Sequence, residues 1–199
     1  KNKKQLIRFR NKIITDIDLF YLFHKDFKSI FVTGTNGKST TCKIINHILK
    51  KNKIKTLLGG NIGTPILSLN PKKNTYLIIE ASSFQLAYSK LIKPDYALLL
   101  NITNDHIDWH GSMTNYTNSK FKIFKNQKQN HYALLNKNLK LQYKKRKLLG
   151  KLIIPNSYQY KKFKSKVENK YLNLKINEEN MSFVYELSKL FKISQKSFL

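Results

Sequence analysis

The chain has 199 residues, enough for one α/β domain with a buried core, and contains 38 Lys and Arg against 11 Asp and Glu. Its single cysteine, Cys42, excludes an internal disulfide framework and a cysteine-rich metal site, and fits a reducing compartment. No apolar run approaches the roughly 20 residues needed to span a bilayer, so we expect a cytoplasmic protein with no membrane partner.

The formal net charge of +27 favours nucleic acid or another anionic surface as a partner. The excess is mostly Lys, in company with abundant Asn and Ile, a composition that AT-biased coding also produces. We therefore predict a monomer that binds an anionic small molecule and no nucleic acid. A basic nucleic-acid-binding module remains the alternative from a different class of protein.

Short apolar runs alternate with helical patterns, which predicts a mostly parallel sheet wrapped by crossover helices. The first strand is predicted at residues 29–33, and a helix with one buried face at residues 39–51, with Cys42 in the core. Further strands are predicted at residues 56–58, 76–79, 96–100, 132–135 and 152–154, and further helices at residues 113–126 and 179–191. The predicted fold class is therefore α/β.

A glycine-rich turn lies between the first strand and the first long helix. In this arrangement backbone N–H groups and the positive end of a helix surround a phosphate. We expect Lys38 to reach the β- and γ-phosphates of a nucleotide and Ser39 to bind Mg²⁺. Val32 stands where the usual Walker pattern has another glycine, so the loop departs from that standard. The predicted nucleotide-binding residues are Gly34, Thr35, Asn36, Gly37, Lys38, Ser39 and Thr40.

Polar side chains also follow two other predicted strands. Glu80 comes directly after the strand at 76–79, where nucleotide chemistry needs a metal ligand. His106 lies in a polar segment after the strand at 96–100. Because ligands bind at the carboxyl ends of parallel strands, the glycine-rich turn, Glu80 and His106 should meet in one crevice. The remaining histidines are predicted to be structural: His24, His47, His110 and His131.

The predicted helix at 113–126 carries two lysines in its second half. Its packed side is predicted to contain Tyr116, Ile123 and Phe124. From composition and spacing alone, Lys120 and Lys122 are two solvated lysines that cannot be told apart.

Several stretches of the chain, in order, resemble the Mur ligase family. They are residues 16–20 (DIDLF), 33–39 (TGTNGKS), 59–63 (GGNIG), 80–86 (EASSFQL), 101–108 (NITNDHID) and 119–124 (SKFKIF). The GGNIG and SSFQL runs are similar to the branch of the family that adds D-glutamate. They argue against the alternatives, another Mur ligase or a folylpolyglutamate synthase-like ligase.

The resemblance implies an ATP-dependent acid–amino-acid ligase of peptidoglycan precursor synthesis. ATP and Mg²⁺ would be its cofactors, and UDP-N-acetylmuramoyl-L-alanine and D-glutamate its substrates. It assigns catalysis to Lys38, Glu80, His106 and Lys120, and metal binding to Ser39, Glu80, His106 and Lys120. Lys120 would act as a carbamate, because carbamylation converts an ammonium into the oxygen ligand that Mg²⁺ requires.

The resemblance further implies substrate contacts, nucleotide contacts and a division into domains. Asn61, Ser82 and His106 match contacts to the UDP-muramoyl substrate. Asn177 and Asn180 match two nucleotide-contacting asparagines at the start of a helix. Residues 1–25 correspond to the tail of an N-terminal UDP-binding domain and a linker, residues 26–195 to a central ATP-binding domain, and a C-terminal domain is absent. We therefore expect an ATP and metal site without a complete active site.

Overall fold

The computed structural model describes residues 9–167, 169–172 and 174–198. In these residues, six parallel strands form one sheet in the order β2-β3-β1-β4-β5-β6. The strands are β1 (Lys28–Thr33), β2 (Thr56–Gly60), β3 (Tyr76–Glu80), β4 (Tyr96–Leu99), β5 (Tyr132–Leu135) and β6 (Lys151–Ile153). Strand β1 pairs with β3 on one side and with β4 on the other. The predicted parallel α/β fold is confirmed.

Helices cover both faces of the sheet. The α-helices are α1 (Asp16–Phe23), α2 (Lys38–Lys51), α3 (Ser83–Tyr88), α4 (Ile107–His110), α5 (Met113–Phe121), α6 (Lys140–Lys145), α7 (Ser157–Lys161), α8 (Glu178–Leu190) and α9 (Gln195–Phe198). Short 3-10 helices lie at Arg10–Lys12, Ile66–Ser68, Lys122–Phe124, Lys137–Leu139, Lys164–Lys166 and Lys175–Asn177. Within the described part of the chain, none of the helices has the length and apolar character to cross a bilayer.

Two apolar clusters hold the layers together, one on each face of the sheet. Side chains alternate between the faces of a strand, so neighbouring residues of β1 enter different clusters. Phe31 joins the cluster built with residues of α1, α3 and α5, whereas Ile30 and Val32 join the one built with α2 and α8. Cys42 is buried in the second cluster, as predicted, and burial raises the pKa of its thiol well above the usual range.

Several predicted boundaries were wrong. The helix predicted at 113–126 ends at Phe121 and continues as a 3-10 turn, whose tighter winding brings residues three apart into line. The rings of Phe121 and Phe124 thereby lie 6.0 Å apart in the core. The strand predicted at 96–100 ends at Leu99. Helices α6 and α7 were missed because six and five residues are too few to show a periodic pattern.

Helix α1 is fixed to the domain by its first turn. The hydroxyl of Thr15 accepts the N–H of Asp18, and the carboxylate of Asp18 accepts the N–H of Thr15, which completes a capping box. The same carboxylate accepts the backbone N–H groups of Lys90 and Leu91, at 2.8 and 2.7 Å. Helix α1 is therefore bound to the segment that follows α3.

We expect Phe20→Ala to lower the free energy of unfolding by about 3–5 kcal/mol, because this ring of α1 is 1% exposed and its loss leaves a cavity. Phe23→Ala in the same helix removes a ring that is 79% exposed, and should change the value by less than about 0.5 kcal/mol. Urea unfolding followed by circular dichroism measures both. Equal losses would contradict the place of α1 in the core.

Candidate functional site

The glycine-rich turn connects β1 to α2, and both of its glycines lie close to other parts of the chain. Gly37 has a φ of 83° at the start of α2, a left-handed conformation that disfavours other residues. A Cβ atom on Gly37 would also lie 2.3 Å from the side-chain oxygen of Asn180. A Cβ atom on Gly34 would lie 3.1 Å from the Cβ of Leu100. The turn is therefore pressed between α8 and the end of β4.

Asn101, the second residue after β4, fixes the path of this turn. Its backbone oxygen accepts the N–H of Thr35 at 3.0 Å. Its side-chain oxygen accepts the N–H of Asn36 at 2.9 Å, and its amide donates to the Asn36 oxygen at 3.2 Å. The sequence interpretation gave Asn101 no role. The available signal was its position, two residues beyond the end of a buried strand that neighbours β1.

A carboxylate lies beside the first turn of α2. Glu80, the last residue of β3, is 2% exposed. One of its oxygens accepts the hydroxyl of Ser39 at 2.7 Å, and the other accepts the amide of Asn61 at 3.0 Å. Since Asn61 directly follows β2, the ends of two neighbouring strands meet the start of α2 here. The sequence-predicted residues Ser39 and Asn61 are therefore both in direct contact with the third, Glu80.

The donor set at Glu80 fits a magnesium ion. Carboxylate and hydroxyl oxygens are ligands that Mg²⁺ prefers, and Mg²⁺ characteristically takes only one or two ligands from protein and the rest from phosphates and water. Among the residues that the structure describes, no group of three His, Cys, Asp or Glu side chains is arranged to hold a metal. Ser39 and Glu80 therefore suit an ion that arrives with a nucleotide.

Lys120 is buried against the turn, which corrects the interpretation of it as solvated. Its side chain is 1% exposed, and its ammonium donates to the Gly34 oxygen at 2.7 Å. The ammonium of Lys38 donates to the same oxygen at 3.0 Å and to the Thr35 oxygen at 2.7 Å. Burial, and then the charge of Lys38, lower the pKa of Lys120 to about 7. Lys122 is half-buried and donates to the Ala87 oxygen.

Tyr116 connects Lys120 to the turn through a buried ring. Its hydroxyl lies 3.0 Å from the Thr35 hydroxyl, which also accepts the N–H of Thr103 at 3.0 Å. The Lys120 ammonium lies 4.7 Å from the centre of the Tyr116 ring. The predicted packed side of this helix, with Tyr116, Ile123 and Phe124, is confirmed by the burial of all three residues.

His106 lies at the edge of this group and is half-exposed. Its backbone is left-handed, with a φ of 51°, at the start of α4. Its Nε2 atom is 3.4 Å from a carboxylate oxygen of Asp105, and its ring packs 4.8 Å from that of Phe84. The ring centre is 6.4 Å from that of Tyr116. His106 therefore approaches the turn through an aromatic neighbour. Among the histidines predicted to be structural, His110 is buried and hydrogen-bonded to Ser83 at 3.0 Å.

The remaining predicted residues differ in how the structure uses them. Thr40 lies half-buried in the first turn of α2. The hydroxyl of Ser82 caps α3, where it accepts the N–H of Gln85 at 3.2 Å. Asn180 lies against Gly37, whereas the amide of Asn177 donates to the Tyr171 oxygen at 2.8 Å. Of the two predicted nucleotide-contacting asparagines, the structure brings Asn180 to the turn.

The sheet order and the strand–turn–helix unit define this chain as an α/β domain of the phosphate-loop type. A model of the Mur ligase middle domain matches residues 32–197, and the chain belongs to the Mur ligase family.

Relatives and solved structures agree with this family. The UDP-N-acetylmuramoylalanine–D-glutamate ligase of Rickettsia felis is 47% identical over 128 residues, which are 64% of this chain and 28% of that protein. The protein of the same name from Wolbachia pipientis is 51% identical over 117 residues, which are 58% of this chain and 23% of that protein. The chain thus spans less than a third of these relatives. The crystal structure of the MurF ligase of Thermotoga maritima with ADP shares its fold, with a TM-score of 0.55 at 23% identity, over 77% of this chain and 36% of that one.

The burial of Lys120 makes stability depend on pH. Its pKa falls from the usual 10.5 to about 7 on folding, so between these values the unfolded chain binds more protons than the folded one. Stability should therefore rise with pH across this window. Lys120→Met should raise the free energy of unfolding at neutral pH and reduce its increase with pH. Lys125→Met, at an exposed lysine nearby, should have neither effect. Urea unfolding in buffer free of carbon dioxide measures this. Identical profiles for wild type and Lys120→Met would contradict it.

Proposed function

We propose that this chain is the ATP-binding part of a ligase that joins D-glutamate to UDP-N-acetylmuramoyl-L-alanine in peptidoglycan precursor synthesis. One observation supports the ATP-dependent chemistry. Lys38, the Ser39–Glu80 pair and buried Lys120 all lie around the glycine-rich turn, which is the phosphate-type loop of this domain. The names of the relatives from Rickettsia felis and Wolbachia pipientis support the choice of substrates.

The loop and Lys38 supply positive charge for the triphosphate. The start of α2 has no side-chain cap, so its first N–H groups can bind an anion, and the helix dipole adds to their effect. Lys38 now donates to the carbonyl oxygens of Gly34 and Thr35, which hold its ammonium at the mouth of the loop. When ATP binds, its β- and γ-phosphate oxygens would replace these carbonyl oxygens as the hydrogen-bond acceptors of Lys38. Most of the catalysis in phosphoryl transfer comes from such charge stabilisation and positioning.

Ser39 and Glu80 would hold one Mg²⁺, and His106 with carbamylated Lys120 a second. When bound, the ions would offset the charge of the transferring group. Lys120 suits carbamylation because attack on carbon dioxide needs a neutral amine, and its pKa of about 7 supplies one at physiological pH. The carbamate nitrogen keeps one hydrogen, so its hydrogen bond to the Gly34 oxygen can persist after modification.

The proposed reaction has two steps, formation of an acyl phosphate and its conversion into an amide. An oxygen of the alanine carboxylate attacks the γ-phosphorus of ATP, the bond to the bridging oxygen breaks, and ADP leaves. The amine of D-glutamate then attacks the carbonyl carbon of the acyl phosphate, loses a proton, and expels inorganic phosphate as the amide forms. Three residues would contact the UDP-muramoyl substrate. They are Asn61, whose amide donates to Glu80, half-exposed His106, and Ser82.

A cavity beside α8 offers room for the nucleoside of ATP. It has a volume of about 570 Å³ and is lined by residues that follow β5 and β6, among them Asn136 and Ile154, and by Glu179 and Ser182 of α8. Asn180 lies in the same turn of α8 and contacts the loop at Gly37. A nucleotide could therefore place its phosphates on the loop and its base along the first turns of α8.

The decisive assay is ATP-dependent phosphate release by the full-length protein encoded by this reading frame. It should release phosphate with UDP-N-acetylmuramoyl-L-alanine and D-glutamate together. Lys38→Met should slow release by about 10²–10³-fold, the size expected when one charge-stabilising donor is removed. Lys43→Met, at an exposed lysine further along α2, is the matched control and should leave the rate unchanged.

Two outcomes would contradict different parts of the proposal. Equal rates for Lys38→Met and Lys43→Met would remove Lys38 and the loop from the reaction. Phosphate release with another amino acid, but not with D-glutamate, would keep the ligase and exclude the proposed substrate.

A further inference from the structure

Acidic residues are absent from one long part of the sequence. Basic residues occur throughout the chain, but residues 109–167 contain fifteen Lys and Arg and no Asp or Glu. This segment therefore carries +15 of the formal net charge of +27. A coding bias towards lysine raises the number of basic residues everywhere, and does not by itself remove the acidic residues of one region. The charge excess is therefore local as well as general.

The densest part of this segment is residues 137–151, here named the basic edge. It runs from the end of β5 through a 3-10 helix and α6 to β6, the last strand of the sheet. Its seven basic residues are all exposed: Lys137, Lys140, Lys144, Lys145, Arg146, Lys147 and Lys151. The ion pairs found among the described residues include none of them. Lys151 lies in the edge strand β6, where a lysine also prevents pairing with another chain. The other six precede this strand, so that explanation does not apply to them.

The basic edge exposes leucine as well as charge. Leu141 in α6 is 63% exposed and Leu149, between α6 and β6, is 60% exposed. Basic side chains interspersed with apolar ones are typical of surfaces that lie on anionic bilayers, where the charges attract headgroups and the apolar groups enter the acyl boundary. Surfaces for single-stranded nucleic acid use exposed aromatic rings instead. The one aromatic residue here, Tyr143, is buried and donates to the Gly150 oxygen at 2.8 Å.

We propose that the basic edge is a peripheral docking surface for an anionic phospholipid bilayer, which would overturn the expectation of no membrane partner that the lack of a spanning segment suggested. Of its seven basic residues, only Lys137 lines the cavity proposed for the nucleoside of ATP. The proposal therefore goes beyond the ligase function and can be tested without any activity. Each lysine near an anionic surface strengthens binding by about five-fold, and the attraction weakens as salt rises.

The test is co-sedimentation of the 199-residue chain with vesicles of equal parts phosphatidylcholine and phosphatidylglycerol, with pure phosphatidylcholine vesicles as the reference. The chain should sediment with the anionic vesicles at low salt and not with the neutral ones. Combining Lys144→Gln, Lys145→Gln and Lys147→Gln should weaken binding about 100-fold, from about five-fold for each charge. All three side chains are exposed, so circular dichroism should show an unchanged fold.

A matched control removes three charges elsewhere. Lys50→Gln, Lys51→Gln and Lys53→Gln change exposed lysines at the end of α2, and Lys53 shares with Lys147 a left-handed backbone, at φ 59° and 49°. This control should weaken vesicle binding by less than about five-fold. Equal losses from the two triple variants would overturn the proposal, because binding would then follow total charge.

The leucines separate a bilayer from other polyanions. Leu141→Ser with Leu149→Ser should weaken vesicle binding about ten-fold or more, because two apolar side chains no longer enter the lipid. The proposal is overturned if this variant binds vesicles as wild type does, or if the wild type fails to sediment with anionic vesicles at low salt. Tight binding to a DNA duplex that is lost in the lysine variant and kept in the leucine variant would also overturn it, in favour of nucleic acid.

Discussion

The carbonyl oxygen of Gly34 accepts hydrogen bonds from two ammonium groups, those of Lys38 and Lys120. Like charges on one acceptor repel each other, and burial of Lys120 removes the water that would screen them. The repulsion falls when an anion enters the loop or when Lys120 loses its charge. The proposed carbamylation of Lys120 also requires its neutral form. A single contact thus favours both an anion in the loop and the neutral form of Lys120, as the proposed function requires.

The strand order of the parallel sheet places the other site residues near the Gly34 oxygen. Strands β2, β3, β1 and β4 are neighbours, so their carboxyl ends lie along one edge and deliver Asn61, Glu80, the loop and Asn101. Asn101 uses a backbone oxygen and its whole amide to hold the loop in shape. The precise path of the loop is therefore imposed by the neighbouring strand, and Gly37 permits the approach of α8.

The features that could be predicted from the sequence are those with a local cause. The loop and Glu80 each follow an apolar run that is recognisable over a few residues, so their positions at strand ends were predicted from spacing alone. Lys120 could not be distinguished from Lys122 in this way, because its burial depends on Gly34, 86 residues earlier in the chain. Only the resemblance to a family singled it out. The role of Asn101 was missed for the same reason, since its partner Asn36 lies in the loop, 65 residues earlier in the chain.

The central claim is that Lys120 becomes an oxygen ligand, and carbon-13 NMR tests it most directly. The chain is equilibrated with carbon-13 bicarbonate at mildly alkaline pH, where the amine is neutral. A carbamate resonance should appear, disappear in Lys120→Met, and remain in Lys125→Met, whose substituted lysine is exposed. A carbamate spectrum unchanged by Lys120→Met would contradict the account.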